Sequence, residues 1–95
     1  MKLYILVRTD LSGAYSAVQA GHALAEYLLH ADGRWRNETL VYLGVPNEQA
    51  LSRWAEKLKM RDHEVIEFRE PDMGSELTAI AVLGAERELR HLPLL

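Results

Sequence analysis

The chain reads as a single α/β domain over residues 1–95, with helices on both faces of a four-stranded, mainly parallel sheet in three layers, α/β/α. Three observations predict this. Two unbroken apolar runs, LYILV at 3–7 and LTAIAV at 77–82, have the pattern of strands covered on both faces. Two stretches of helical period lie between strand-like segments, and right-handed crossovers then place helices on the faces of the sheet. A length of 95 residues supports one modest core and no second domain.

Taken in order, residues 3–7 form a central first strand, and Thr9, Asp10, Ser12 and Gly13 supply turn and cap chemistry. A helix runs from 14 to about 29, in which Ala14, Ala17, Val18, Gly21, Leu24, Ala25 and Leu28 share one face that is expected to pack on the sheet. Residues 31–38, ADGRWRNE, form a polar loop, and 39–45, TLVYLGV, a second strand ended by Pro46. Asn47 caps a second helix, Glu48 suits its positive end, and Leu51, Trp54, Ala55 and Leu58 give its apolar stripe. Residues 63–68, HEVIEF, read as a charged edge strand. After the loop at 69–76, REPDMGSE, comes a central fourth strand at 77–82. The tail from 85 to 95 forms a short helix and returns Leu92, Leu94 and Leu95 to the core.

Composition excludes several classes of function. No run approaches the ~18 apolar residues of a membrane span, and Arg8 and Asp10 interrupt the N-terminal run before a signal-peptide core can form. The absence of cysteine removes disulfides, thiolate catalysis and cysteine-bound zinc, and fits a cytoplasmic setting. A formal net charge of -3 gives no global attraction for nucleic acid, so any RNA contact must be local. The basic residues do cluster, with Arg34 and Arg36 around Trp35, and with Arg53, Lys57, Lys59 and Arg61 close together.

The first helix carries a second stripe. With Val18 at 0°, the apolar face centres near about 300°, whereas Tyr15, Gln19, His22 and Glu26 fall between roughly 40° and 100°. Such a polar border can hydrogen-bond neighbouring elements, or it can wall a site beyond the carboxyl end of the first strand, where open α/β sheets bind ligands.

VRTDL at 7–11 followed by AVQAGHA at 17–23 resembles the signature of the type 2 peptidyl-tRNA hydrolases, in which Arg-x-Asp-Leu leads into a helix bearing Gln-x-x-His-Ala. The likeness extends through the second strand, the Pro-Asn-Glu helix start, the EPD loop and the TAIAV strand, and the closing HLPLL is similar too. The resemblance implies a mixed four-stranded sheet, a homodimer, and hydrolysis of the ester joining a peptide to the terminal ribose of tRNA. It implies no cofactor and no metal. Two departures stand out: Tyr15 occupies the position where the family carries a lysine, and EPDMGSELT is shorter than the family's loop, so that its acid maps to Glu70 or to Asp72.

Ester hydrolysis needs an activated water, stabilisation of the oxyanion and a proton for the leaving oxygen. Asp72, or failing it Glu70, is the candidate carboxylate that orients or deprotonates water, and His22 the proton-transfer group. Arg8, Tyr15, Gln19 and Thr78 are candidates for binding peptidyl-tRNA: Arg8 on a phosphate, Tyr15 stacked on the terminal adenine. Plainer roles exist for each. Asp72 after Pro71 suits a turn, Thr78 suits any strand, and Arg8 with Asp10 makes an ion pair that holds the first turn. Trp35 is either a stacking platform between arginines or a loop anchor, and Trp54 is packing. His30, His63 and His91 are isolated and give no metal-ligand spacing. A binding module of the same fold, without catalysis, is the competing function.

Overall fold

In the computed structural model, which describes residues 1–95, the elements are β1 (Lys2–Arg8), α1 (Gly13–His30), β2 (Thr39–Val45), α2 (Glu48–Met60), β3 (Val65–Glu70), a 3-10 turn at Pro71–Met73, β4 (Glu76–Leu83) and α3 (Glu86–Leu89). They build an open α/β sheet in the order β2-β1-β4-β3. β1 and β2 are parallel, but β4 pairs antiparallel with both β1 and β3. The sheet is thus mixed and not mainly parallel. β3 runs in the same direction as β1 and β2, and β4 alone is reversed. The tight 71–75 connection makes a hairpin with β3, and a hairpin must be antiparallel where a helical crossover need not be. Because β4 then inserts next to β1, one reversed strand spoils two pairings.

β1 is buried from Leu3 to Arg8, which explains its unbroken apolar run. Leu3, Ile5 and Val7 pack with Ala20, Ala23 and Tyr27 of α1, while Tyr4 and Leu6 pack with Leu51, Ala55 and Leu58 of α2. β4 feeds the same two clusters alternately, Ala79 and Ala81 toward α1 and Ile80 and Val82 toward α2. No helix is long and apolar enough to cross a membrane.

α1 starts where expected, with the Ser12 hydroxyl accepting from the Tyr15 amide at 3.3 Å. Its buried face is a different one. Ser16, Gln19, Ala20, Ala23 and Tyr27 face the sheet, whereas Ala14, Ala17, Val18, Ala25 and Leu28 are exposed. Taking about 100° per residue, the buried stripe lies about 140° round from the expected one. In an alanine-rich helix the apolar periodicity is weak on every side, and two polar residues with good partners can be buried at little cost. The Ser16 hydroxyl donates to the Gly13 carbonyl at 2.9 Å, and Gln19 is satisfied across the sheet.

The tail also differs. Leu92 packs on the α2-side cluster, but Leu94 and Leu95 stay exposed. Their backbone covers the β2 edge instead: Gly44 donates to Pro93 at 2.9 Å and Leu95 to Tyr42 at 3.0 Å. That edge therefore has paired amides, as a folded protein requires of exposed strands. Gly44 is also tightly approached by the Thr9 side chain; a Cβ there would lie 2.7 Å from its methyl group, which restricts the position to glycine. Trp35 is buried, with its indole N–H donating to the Thr39 carbonyl at 3.2 Å, so it anchors its loop.

Candidate functional site

Four side chains from three elements converge behind the end of β3. Glu70 is the last residue of β3, so strand alternation puts it on the face of Phe68 and toward α1. Its Oε1 accepts from the Gln19 amide Nε2 at 2.9 Å and from the Tyr15 hydroxyl at 3.2 Å. Gln19 in turn accepts from the Thr78 hydroxyl at 2.6 Å. The chain Thr78 to Gln19 to Glu70 sets the amide orientation, because a flipped amide would turn its oxygen against the carboxylate. Gln19 and Thr78 are fully buried and Glu70 is 8% exposed. No buried side-chain polar atom is left without a partner.

The electrostatics follow from these bonds. The Gln19 amide, helped by the Tyr15 hydroxyl, the Asp72 backbone amide and the nearby His22, holds the Glu70 carboxyl below the usual carboxylate range against the opposing effect of burial. Burial and the Glu70 charge push the Tyr15 phenol up. Glu70 is therefore an ionised acceptor and a weak base, and Tyr15 a neutral donor. His22 is exposed at the rim and lies flat on the Phe68 ring, with centroids 4.5 Å apart and planes 8° from parallel.

Of the two candidate acids, the fold brings Glu70 into the cluster and leaves Asp72 outside. Asp72 sits on the exposed 3-10 turn, where its side chain makes no hydrogen bond and only its amide faces Glu70. The turn closes through Gly74 at φ +62°, a left-handed conformation that glycine adopts without strain, and Ser75 follows at φ +65°. Arg8 lies near the same end of the sheet but faces other partners. Its Nε and Nη2 bind both Asp10 oxygens at 2.9 Å, and its Nη1 reaches Glu76 at 2.7 Å and the Leu77 carbonyl at 3.3 Å. Four of the five guanidinium N–H groups are thereby taken, which leaves little for a phosphate. The Arg8 bonds hold the Asp10 carboxyl below its ordinary range.

From the sequence alone Phe68 and Glu76 are assigned no role, and Glu48 only its place at the start of the second helix. Phe68 could have been found from strand alternation, being two residues before Glu70. Glu76 closes the Arg8 network, and Glu48 accepts from the Leu77 amide at 2.8 Å, contacts that only the fold creates.

The polar stripe of α1 and the acidic connection thus meet by direct hydrogen bonds, and none of the surface hollows includes Tyr15, Gln19, His22, Glu70 or Thr78. No three His, Asp or Glu side chains are grouped to hold a metal ion. Chemically, the arrangement offers an ionised carboxylate with a fixed hydrogen-bonding shell, a neutral phenol, and an imidazole resting on an aromatic face. The amide–hydroxyl bond is testable. Thr78→Val keeps the shape but leaves the Gln19 oxygen buried without a donor, and is expected to cost about 1–3 kcal/mol, read as a lower urea midpoint at unchanged slope. A loss within the scatter of surface substitutions would mean that Gln19 does not depend on Thr78.

No protein-family model matches the chain, and no curated protein matches it either.

Proposed function

We propose that the protein hydrolyses the ester between a peptide and the terminal ribose of tRNA, in the manner of the type 2 peptidyl-tRNA hydrolases that its motifs resemble. The observation that carries this is the Tyr15–Gln19–Glu70–Thr78 cluster, which joins residues 51 and 59 positions apart through single short bonds at the place where the motifs meet. Glu70 orients a water toward the carbonyl carbon. His22, held by Phe68 at the rim, takes a proton from that water as its oxygen bonds to the carbon, then returns the proton to the ribose oxygen as the ester C–O bond breaks. The Tyr15 hydroxyl, which stands where the family's lysine would, donates to Glu70 and fixes the carboxylate that orients the water.

The pH dependence follows from the depressed Glu70. It remains charged through the neutral range, so Glu70 contributes no change of rate there. Because its folded value lies below its unfolded one, its stabilising contribution is present above the ordinary glutamate value of about 4.3 and disappears as pH falls through the folded value. Urea midpoints should therefore fall more steeply below about pH 4 for the wild type than for Glu70→Gln. Parallel curves would remove Glu70 as the depressed group.

The direct test of activity is incubation of the purified, folded protein with an N-blocked aminoacyl-tRNA. Release of the blocked amino acid supports the hydrolase; none above buffer at high protein concentration favours a non-catalytic module that binds tRNA or a protein. One observation favours that second reading: the cluster holds no cation and its side chains satisfy one another. The absence of cysteine supports a cytoplasmic setting, the order of strands and helices a three-layer α/β/α arrangement, and the resemblance a homodimer. The exposed Ala14, Ala17, Val18 and Leu28 side of α1 is the apolar surface available to a second copy, and sedimentation equilibrium would report the assembly.

A further inference from the structure

α2 carries along its solvent side a row of cations that no acid neutralises. Arg53, Lys57 and Arg61 stand at i, i+4 and i+8, each about 6 Å from the next, and all three are exposed. None forms an ion pair, as Lys2, Arg36, Arg87 and Arg90 elsewhere also do not, whereas Arg8, Arg34, Lys59 and Arg69 all do. Lys57 in the last turn and Arg61 at the C-cap suit the negative end of the helix dipole, but Arg53, a turn earlier, gains nothing from it and is repelled by Lys57. The ammonium of Lys57 lies 4.8 Å from the centroid of the Trp54 ring, a contact that restrains an otherwise mobile side chain. Two acids lie close. Glu56 borders the row, and Glu88, which senses Arg61, is already bound to His63 at 2.6 Å.

The surface along the row is grooved. A hollow of about 480 Å³ lies among Arg53, Glu56, Lys57, Met60 and Arg61, and a second of about 210 Å³ shares Arg53 and Lys57 and touches Trp54. A separate one, of about 390 Å³, lies at the start of α2 among Glu48, Gln49, Ser52, Arg69 and Leu77. Leu77 and Arg69 are the chain neighbours of Thr78 and Glu70, but strand alternation turns them to the α2 side of the sheet, so the row and the cluster lie on opposite faces. α2 has 13 residues and is about 20 Å long, enough to span several phosphates of one strand.

We infer that the outer face of α2 is a track for the phosphodiester backbone of RNA. Evenly spaced, unpaired cations match a polymer with one charge per repeat, and a chain of net charge -3 needs such a local patch to hold a polyanion at all. The choice of RNA as the polyanion rests on the tRNA reading above.

The test titrates labelled deacylated tRNA with the wild type and with the Arg53→Ala/Lys57→Ala/Arg61→Ala variant at several salt concentrations, with folding checked by circular dichroism. Each phosphate contact contributes about 0.7–0.9 to the slope of log K against log salt. The variant should thus flatten the slope by about two to three units and bind at least tenfold more weakly at low salt. A charge-keeping variant, Arg53→Lys/Arg61→Lys, should restore most of the slope. Equal slopes for wild type and triple variant, or competition by poly-L-glutamate as effective as that by RNA, would overturn the track. Wild-type hydrolysis of N-blocked aminoacyl-tRNA is measured separately. If it is absent while the slope still depends on the row, the hydrolase alone fails; if it is present while the slope is unmoved, the track alone fails.

Discussion

Glu70→Gln is expected to lower hydrolysis of an N-blocked aminoacyl-tRNA by about 10²- to 10⁴-fold, the usual range for a group that acts on the proton or water of the reacting centre. The substitution is nearly isosteric, so the amide can still accept one bond from Gln19. What it removes is charge: Glu70 is kept ionised by the Gln19 amide and the Tyr15 hydroxyl, and a neutral amide draws a water proton far more weakly. Asp72→Asn is the companion experiment, because Asp72 stands on the exposed turn with no side-chain bond. It should leave the rate nearly unchanged. A large loss for Asp72→Asn together with a small one for Glu70→Gln would give the role to Asp72 and empty the cluster of its catalytic meaning. Thermal melts of both variants separate a lost role from a lost fold.

Trp35→Ala is expected to cost about 3–5 kcal/mol of stability, a sizeable part of the roughly 5–15 kcal/mol that holds a small domain folded. The indole is 8% exposed and packs in the cluster of β1 and α1, with its N–H on the Thr39 carbonyl at the start of β2. Its loss opens a cavity beneath the loop and frees a carbonyl at the strand entrance. Arg34 beside it is turned to Asp32, with Nε 2.9 Å from the carboxylate, so the arginines do not form a clamp around the ring. Urea denaturation should show the loss, while tRNA affinity of the folded variant stays near that of the wild type. A stable variant with weakened RNA binding would instead make Trp35 a stacking platform.

The elements themselves were legible in the residues. The LYILV and LTAIAV runs mark β1 and β4, both buried on two faces, and Asn47 does cap α2, accepting from the Ala50 amide at 2.9 Å. The resemblance picked out Gln19, Tyr15, Thr78 and Glu70, and these four come together. Its other acid, Asp72, is the one preferred from the sequence as the reacting carboxylate, although the Pro71–Asp72 pair also suits a plain turn. Strand alternation, followed two residues further along β3 than expected, would have shown that Glu70 still belongs to the strand and turns inward with Phe68. Arg8 shows the opposite limit. Its carboxylate neighbour Asp10 was plain in the sequence, but Glu76, 68 residues away, takes the side that a phosphate would have used.

Helix and strand positions, caps and the single core depend on side chains within a few residues of each other, and this sequence by itself determined them. Three things were decided only by the tertiary structure: which side of α1 is buried, that β4 runs against its neighbours, and where the C-terminal leucines go. Each depends on partners distant in sequence. A buried Gln19 is tolerable only because Glu70 and Thr78 meet it, and Leu94 and Leu95 lie outside because the Pro93 carbonyl and the Leu95 amide, more than the leucine side chains, find partners along β2. Apolar periodicity measures the gain from hiding hydrocarbon; it contains nothing about the hydrogen bonds that make hiding a polar group, or exposing an apolar one, the lower free energy.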